Sequence, residues 1–169
     1  MKKLVGALIV VMSITACQSK TEQTGNTVPA EAFGYTLNNS ENINTVKKAI
    51  DAGAASDSAV FVSIYADSAA VYDNMNKQTI YENMKMVSTL RSKGITLKLE
   101  KINDIWETIS FKADKRDYSD YVNVYFDASF IKGTQKLTTR INAVFAFKNG
   151  KIVTEWDTYD SAPMAELLK

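Results

Sequence analysis

The fold is decided by one stretch of the sequence, Phe147-Lys148-Asn149-Gly150-Lys151-Ile152-Val153-Thr154-Glu155-Trp156-Asp157-Thr158-Tyr159-Asp160. An Asn-Gly pair between two β-rich runs is a strong local signal for a β-hairpin. Apolar residues alternate with polar ones on both sides of this pair, which is typical of strands with one buried face. The stretch therefore predicts two antiparallel strands, over residues 136–148 and 151–159.

Two more β-rich segments, 95–112 and 121–130, precede this hairpin, and turn signals separate them. The region before residue 95 has helical character instead. We predict a helix over 41–54, a short apolar helical segment after Asp57, a strand-like segment and a third helix that stops at Gly94. Helices followed by a run of antiparallel strands are the α+β pattern. We therefore expect about three N-terminal helices packed on a curved, mostly antiparallel sheet.

Composition excludes several kinds of chemistry. The 169 residues include no histidine and a single cysteine, so the chain can form neither a Ser-His-Asp nor a Cys-His nucleophile, nor a zinc site of the usual kind. The sequence contains no nucleotide-binding glycine pattern, metal-ligand cluster or calcium loop. A formal net charge of +1 does not favour a nucleic-acid partner. We therefore expect no cofactor, no metal and no nucleic acid.

The first seventeen residues have the pattern of a bacterial lipoprotein leader. Lys2 and Lys3 precede a short apolar run, and Ile14-Thr15-Ala16-Cys17 resembles the lipobox. The resemblance implies a signal peptide over 1–16 and acylation of Cys17, with palmitate among the acyl chains, which would hold the chain to a membrane. Gln18 after the cysteine implies the outer membrane of a bacterial envelope. The alternative is an ordinary secretory signal that contains a cysteine by chance.

Residues 17–39 are rich in Thr, Gln, Asn, Ser and Glu, and they predict a flexible tether. The folded domain is expected over 40–165. Its order of helices and strands, with the aromatic-x-x-Gly-Lys-Ile hairpin and the acidic, aromatic end of the last strand, resembles the nuclear transport factor 2-like, or SnoaL-like, superfamily.

That resemblance implies a cone-shaped α+β barrel that encloses a pocket for a small molecule, and a homodimer formed through the sheet. The superfamily includes polyketide cyclases, ketosteroid isomerases, limonene epoxide hydrolases and binding proteins without chemistry. The fold therefore does not decide the function.

The side chains that would line the pocket depend on the turn at 148–151. A two-residue Asn-Gly turn would pair Lys148 with Lys151 and direct Asp157 toward solvent. A three-residue loop with a bulge at Gly150 would pair Ile141 with Asp157 and direct Asp157 inward. We favour the second register, because superfamily enzymes carry a pocket-facing carboxylate at the position that matches Asp157.

Asp157 and Asp73 are the candidate catalytic residues. A carboxylate in apolar surroundings has a raised pKa, which suits proton transfer or hydrogen bonding to a ligand hydroxyl. The residues expected to bind the ligand share the inner face or the rim of the pocket: Tyr72, Asn74, Phe126, Ile141, Ala143, Phe145 and Tyr159.

Two enzyme sites are present only in part. Tyr72, Asn74 and Asp157 match part of the limonene epoxide hydrolase site, but the strand over 121–130 lacks the required arginine. Asp73 matches the base of ketosteroid isomerases, but Ala143 stands where their hydrogen-bonding acid would be. Asp73 and Asn74 also fit an Asx turn that leaves a strand.

These observations favour a lipid-anchored protein that binds a small, largely apolar molecule without catalysis. One alternative is a cofactor-independent isomerase, cyclase or hydrolase with Asp157 or Asp73 as general base. A second alternative is a dimeric interaction scaffold whose pocket is filled by its own side chains.

Overall fold

The computed structural model describes residues 33–168. The predicted signal peptide, the lipid attachment site Cys17 and the tether up to residue 32 lie outside the described residues. None of the described helices is both long and apolar enough to cross a membrane.

The described residues form seven strands and four helices. Their order along the chain is β1 (Gly34–Leu37), α1 (Glu41–Ala55), α2 (Ser58–Ile64), β2 (Tyr65–Asp73), β3 (Asn76–Thr79), α3 (Ile80–Ser92), β4 (Ile95–Ser110), β5 (Asp120–Lys132), β6 (Gln135–Lys148), β7 (Lys151–Thr158) and α4 (Ala162–Leu167).

Side-chain caps fix the start of each of the three large helices. The hydroxyl of Ser40 accepts a hydrogen bond from the Ile43 N–H at 3.0 Å, and Asp57 caps α2 in the same way. Thr79 and Glu82 form a reciprocal capping box at α3, which satisfies two backbone N–H groups that the helix leaves free. The predicted helices over 41–54, after Asp57 and before Gly94 are confirmed.

The described strands form one sheet in the order β1-β4-β5-β6-β7-β2-β3, and among them only the neighbours β2 and β7 run parallel. β4 is sixteen residues long and carries two register irregularities, which bend a strand and increase its twist. Helices α1 and α2 pack on the inner face of the sheet, where Ile43 and Val46 of α1 share one core with Val122, Val124 and Phe145 of the sheet. The predicted α+β architecture is confirmed.

The β6–β7 hairpin corrects the predicted turn. Lys148 pairs with Lys151, and both Asn149 and Gly150 have positive φ angles, 52° and 72°. This is the geometry of a two-residue turn, so the prediction of a three-residue loop was wrong. Asn-Gly suits the two-residue turn because both residues tolerate the left-handed region.

Two elements extend the predicted domain. β1 pairs with the end of β4 and lies within the stretch that we expected to be a tether through residue 39, so that expectation was wrong for residues 34–37. Helix α4 ends at Leu167, two residues beyond the expected boundary at 165. Leu167 packs against Ile95 and Phe130, so α4 covers the apolar end of the sheet.

Candidate functional site

A cavity of about 410 Å³ lies between the helices and the inner face of the sheet. Most of its wall is apolar, because the inward residues of β4, β5 and β6 face apolar residues of α1, α3 and α4. The sheet contributes Leu97, Leu99, Phe126, Ala128, Phe130, Ile141 and Phe145 to this wall. The described side chains therefore form a largely apolar wall around this cavity.

The other end of the cavity, on the adjacent strands β2 and β7, is polar. Asp73 is the last residue of β2, and Glu155 and Asp157 are two residues apart on β7. Residues two apart on a strand point to the same face, and all three carboxyl groups line the cavity. Tyr65 and Tyr159 line it beside them.

A bulge in β7 gives Glu155 and Asp157 this direction. Phe147 pairs with Ile152, but the next pair is Ala146 with Thr154, so Val153 is an extra residue in the strand. As a result, Ile152 and Glu155 occupy the same face although they are three residues apart. Asp157 is set opposite Ala143, not opposite Ile141 as predicted. The predicted inward facing of Asp157 is confirmed, but it arises from a bulge at Val153 and not from the turn.

Hydrogen bonds hold the polar end together. The Tyr65 hydroxyl donates to Glu155 Oε2 at 2.5 Å. Asn74 donates its backbone N–H to the Asp157 carbonyl at 2.9 Å, and its side-chain Oδ1 accepts the Tyr159 N–H at 3.1 Å. Asn74 therefore ties the β2–β3 turn to the end of β7. The backbone of Asn74 has a φ of 52°. This angle fits a turn at the end of β2, which is the alternative interpretation of Asp73 and Asn74 given above.

The carboxyl groups of Glu155 and Asp157 are neighbours, and burial favours the protonated form of each. Burial raises the pKa of Glu155 to about 7, although hydrogen bonds from Tyr65 and Asp157 oppose this rise. Burial, followed by the charge of Glu155, raises the pKa of Asp157 well above its usual range. Asp157 thus donates to Glu155 when one of the two is protonated, and such a pair can give and accept a proton near neutral pH.

Burial also acts on the two phenols. It raises the pKa of Tyr65, and the neighbouring Glu155 adds to the rise. The pKa of Tyr159 is raised by burial and then by a hydrogen bond to the Asp73 carboxylate. Both tyrosines are therefore neutral hydrogen-bond donors at physiological pH.

The described lining of the cavity contains no lysine or arginine. Within residues 33–168 no group of three acids, histidines or cysteines has the arrangement of a metal site. The polar end thus consists of carboxyl groups, phenols and amides.

The structure brings most of the predicted site residues together. Seven of them line the cavity: Asp73, Asn74, Phe126, Ile141, Phe145, Asp157 and Tyr159. Ala143 does not line it, because it is only 1% exposed and lies in the core opposite Asp157.

Tyr72 was placed wrongly by sequence reasoning. It alternates with Val71 and Asp73 along β2, so its side chain lies on the outer face of the sheet. There its ring stacks on Trp156 with centroids 6.0 Å apart, and Lys77 lies 6.0 Å from its ring centroid. Tyr72 therefore cannot anchor a ligand in the cavity.

Sequence reasoning missed Glu155 and Tyr65 as site residues. Glu155 could have been found, because its spacing of two from Asp157 places both on one face once the register is known. Tyr65 could not, because its contact with Glu155 joins residues that are ninety positions apart.

Comparison of the fold with solved structures gives consistent matches at low sequence identity. A candidate polyketide cyclase from Xanthomonas campestris pv. campestris matches with a TM-score of 0.60 and 12% identity, over 79% of this chain and 100% of that one. An LEH-like epoxide hydrolase from M. tuberculosis matches with a TM-score of 0.52 and 16% identity, over 75% and 87% of the two chains. An NTF2-like protein of unknown function from Cytophaga hutchinsonii matches with a TM-score of 0.50 and 10% identity, over 75% and 95%.

The chain therefore has the NTF2-like, or SnoaL-like, fold, as its sequence predicted. No family model matches the sequence, and no curated protein matches it significantly. Proteins of this fold include enzymes and binding proteins, so either role is compatible with the cavity.

Proposed function

We propose that this chain binds a small, largely apolar molecule in the cavity between its helices and its sheet. The observation that carries the proposal is the division of one cavity of about 410 Å³ into an apolar wall and a polar end. Such a division is typical of small-molecule sites, where apolar walls supply affinity and a few polar groups fix orientation.

The apolar wall suits a hydrophobic body. Phe126, Phe130 and Ile141 on the sheet face Met86 and Leu90 on α3 across the cavity. Burying apolar surface of a ligand there is favourable by about 25 cal/mol per Å². The polar end would then hold the hydrogen-bonding group of the same molecule.

Thermal-shift measurements with a panel of lipophilic compounds test this proposal. We expect at least one class of compound to raise the melting temperature, and the Asp157→Ala variant to show a smaller rise. The matched control is Asp127→Ala, because Asp127 pairs with the exposed Arg140 away from the cavity. The absence of any shift across a broad panel would overturn the proposal.

A second candidate function is acid–base catalysis without a cofactor, on a substrate with an apolar body. The observation that favours it is that Glu155 and Asp157, two acids whose pKa values burial raises, line the cavity together with Asp73. Two of the structural neighbours carry the names of a polyketide cyclase and an epoxide hydrolase. One carboxyl could abstract a proton while another returns it, as an isomerase, cyclase or hydrolase requires.

Two features support catalysis less well than they support ligand binding alone. Ala143, opposite Asp157, offers no donor to a developing oxyanion, and β5 carries no arginine in its sequence DYVNVYFDASFIK. Turnover of epoxide, enone or polyketide-like substrates tests the enzyme role. Activity that is lost in Asp157→Asn, Asp73→Asn or Glu155→Gln but kept in Asp127→Asn would establish it.

We also propose that the chain is a lipoprotein of the bacterial envelope, anchored at Cys17 and directed to the outer membrane. The support is the lipobox-like sequence that ends in Cys17 and is followed by Gln18. Several acyl chains together give a stable anchor, whereas one gives only marginal binding.

A homodimer through the outer face of the sheet is the last part of the proposal. Trp106 and Tyr125 stack there with centroids 5.8 Å apart, and aromatic residues are enriched in interfaces. Sedimentation should detect a dimer that Tyr125→Glu disrupts. Tyr81→Glu is the control, because Tyr81 is an exposed tyrosine of α3. A monomer at high concentration would contradict the proposal.

A further inference from the structure

The acids of the cavity differ from the ion-paired acids elsewhere in the described chain. Four acids outside the cavity have a lysine or arginine partner at 2.6 to 2.9 Å: Glu100, Asp114, Asp117 and Asp127. Asp73, Glu155 and Asp157 gather in one cavity, and among the residues described as its lining no lysine or arginine accompanies them.

The groups that face these three acids are neutral. Tyr65 donates to Glu155, and Tyr159 stands beside Asp73. From the neighbouring elements, Asn74 at the β2–β3 turn, Asn76 on β3 and Asn83 on α3 line the same cavity. Asp73 Oδ1 is buried and has no hydrogen-bond partner. A buried carboxylate is normally paired with a cation or a metal, and an unpaired one takes up a proton instead. No described lysine or arginine lines this end of the cavity, so a positive partner for the ionised acids would have to come from a bound molecule.

We propose that the missing partner is the ligand itself: the cavity takes a molecule with an apolar body and a protonated amine, whose ammonium group lies among Asp73, Glu155 and Asp157. This inference rests on the proposed binding function and adds the chemical class of the ligand. An ammonium group has three N–H donors and no acceptor, which matches a set of three carboxyl groups. The apolar wall of Phe126, Ile141 and Phe145 would enclose the rest of the molecule.

The same geometry selects against other head groups. A carboxylate or phosphate would meet three acids and no described cation, and like charges in a poorly solvated site repel strongly. A hydroxyl group could form hydrogen bonds with the acids but could not neutralise them. The expected order of affinity for one apolar body is therefore amine, then alcohol, then carboxylate.

Binding of an amine should also move a proton. Burial raises the pKa of both Glu155 and Asp157, and a neighbouring ammonium group favours their ionised forms. The bound amine would therefore release protons from the acids to the solution. Its affinity should rise with pH until the amine itself loses its proton, near pH 10 for an alkylammonium group.

Isothermal titration calorimetry with three matched probes tests this inference. n-Decylamine, n-decanol and sodium decanoate share one apolar chain and differ in head-group charge. With the full chain at about pH 7.5, we expect the amine to bind about tenfold or more tighter than the alcohol, and decanoate to bind most weakly. Titrations in two buffers of different ionisation enthalpy should show proton release for the amine only.

Variants separate the head-group effect from general binding. Asp157→Asn should reduce the preference for the amine over the alcohol, whereas Asp127→Asn on the outer face should leave it unchanged. Equal binding of amine and alcohol without proton release would overturn the amine inference and leave the apolar-ligand proposal intact. Failure of all three probes to bind would count against the amine inference, and the broad thermal-shift panel would then decide the apolar-ligand proposal separately.

Discussion

Asp73 and Asp157 lie directly opposite each other on the parallel strands β2 and β7, so two carboxyl groups enter one cavity from neighbouring strands. Like charges in opposite positions of a sheet destabilise it, and burial makes their ionised forms costlier still. Glu155 adds a third acid on the same face. The chain therefore carries in this cavity a cluster of three acids that lowers the stability of the fold, and such a cluster is typical of functional sites.

The first prediction is that the protein is more stable in mild acid than in mild base. The pKa of Glu155 is about 7 in the folded chain, and that of Asp157 is raised further above its usual range. The folded chain therefore binds more protons than the unfolded chain between about pH 4 and pH 7, so its stability falls as the pH rises through this window. We expect the melting temperature to fall by roughly 3–8 °C between about pH 5 and pH 8.

The Asp157→Asn variant should show a shallower pH dependence and should melt above the wild type at about pH 8, because it removes one of the coupled acids. Asp127→Asn is the matched control. Arg140 lowers the pKa of Asp127, so Asp127→Asn should leave the fall of melting temperature between about pH 5 and pH 8 unchanged. A melting temperature that stays level or rises between about pH 5 and pH 8 would contradict the raised pKa values.

The second prediction concerns the contact between Tyr65 and Glu155. Tyr65→Phe removes the donor to Glu155 Oε2, and loss of that hydrogen bond should raise the pKa of Glu155 further. We expect a loss of about 1–3 kcal/mol in the free energy of unfolding above pH 7, because a buried carboxylate loses its partner. Chemical denaturation measures the loss, and carbon NMR of the Glu155 carboxyl group measures the pKa.

Tyr81→Phe provides the comparison for that variant. Tyr81 is 57% exposed on α3, and surface substitutions usually change stability by less than about 0.5 kcal/mol. Equal effects of the two tyrosine substitutions would show that the hydroxyl of Tyr65 has no special role.

The third prediction tests the turn between β6 and β7. Asn149 has a φ of 52°, where a β-branched residue is strained. Asn149→Val should therefore cost about 1–2 kcal/mol of stability, whereas Asn149→Gly should be neutral within a few tenths or slightly stabilising. In a three-residue loop Asn149 would have a negative φ, and Asn149→Gly would then be the destabilising change. Thermal unfolding of both variants distinguishes the two turns.

The fourth prediction concerns Cys17. Expression of the full chain in a bacterium with a lipoprotein pathway should yield a protein that sediments with membranes and carries acyl chains detectable by mass spectrometry. Cys17→Ser should release the chain from the membrane fraction. A membrane-free wild type would support the alternative of an ordinary secretory signal.

The helices and long strands could be predicted because their signals are local. The caps at Asp57 and Thr79 and the helical spacing of Ile43 and Val46 lie within a few residues of the elements they define. Short β1 and β3 were missed because a strand of four residues is stabilised by its neighbours in the sheet. Gly34–Leu37 is a strand because the end of β4 offers it hydrogen-bonding partners, and its own composition shows nothing of this.

The site could be predicted only in part, because the side of the sheet on which Asp157 lies depends on one extra residue in β7. The Asn-Gly turn alone would place Asp157 outside, whereas the bulge at Val153 returns it to the cavity. No local signal in β7 marks that bulge. Tyr72 was placed in the pocket because it matches part of the limonene epoxide hydrolase site, although alternation with Val71 puts its side chain outside.

The sequence by itself determined which chemistry is possible: a chain without histidine, whose single cysteine is a predicted lipid attachment site, must work with carboxyl groups, phenols and amides. It also determined the α+β order of helices and strands, because periodicity and caps act over a few residues. Only the tertiary structure decided that Asp73, Glu155 and Asp157 meet in one cavity beside Tyr65, without a lysine or arginine among its described lining. Those residues are distant in the chain, and their meeting depends on strand order, parallel pairing and a bulge, which are properties of the folded sheet.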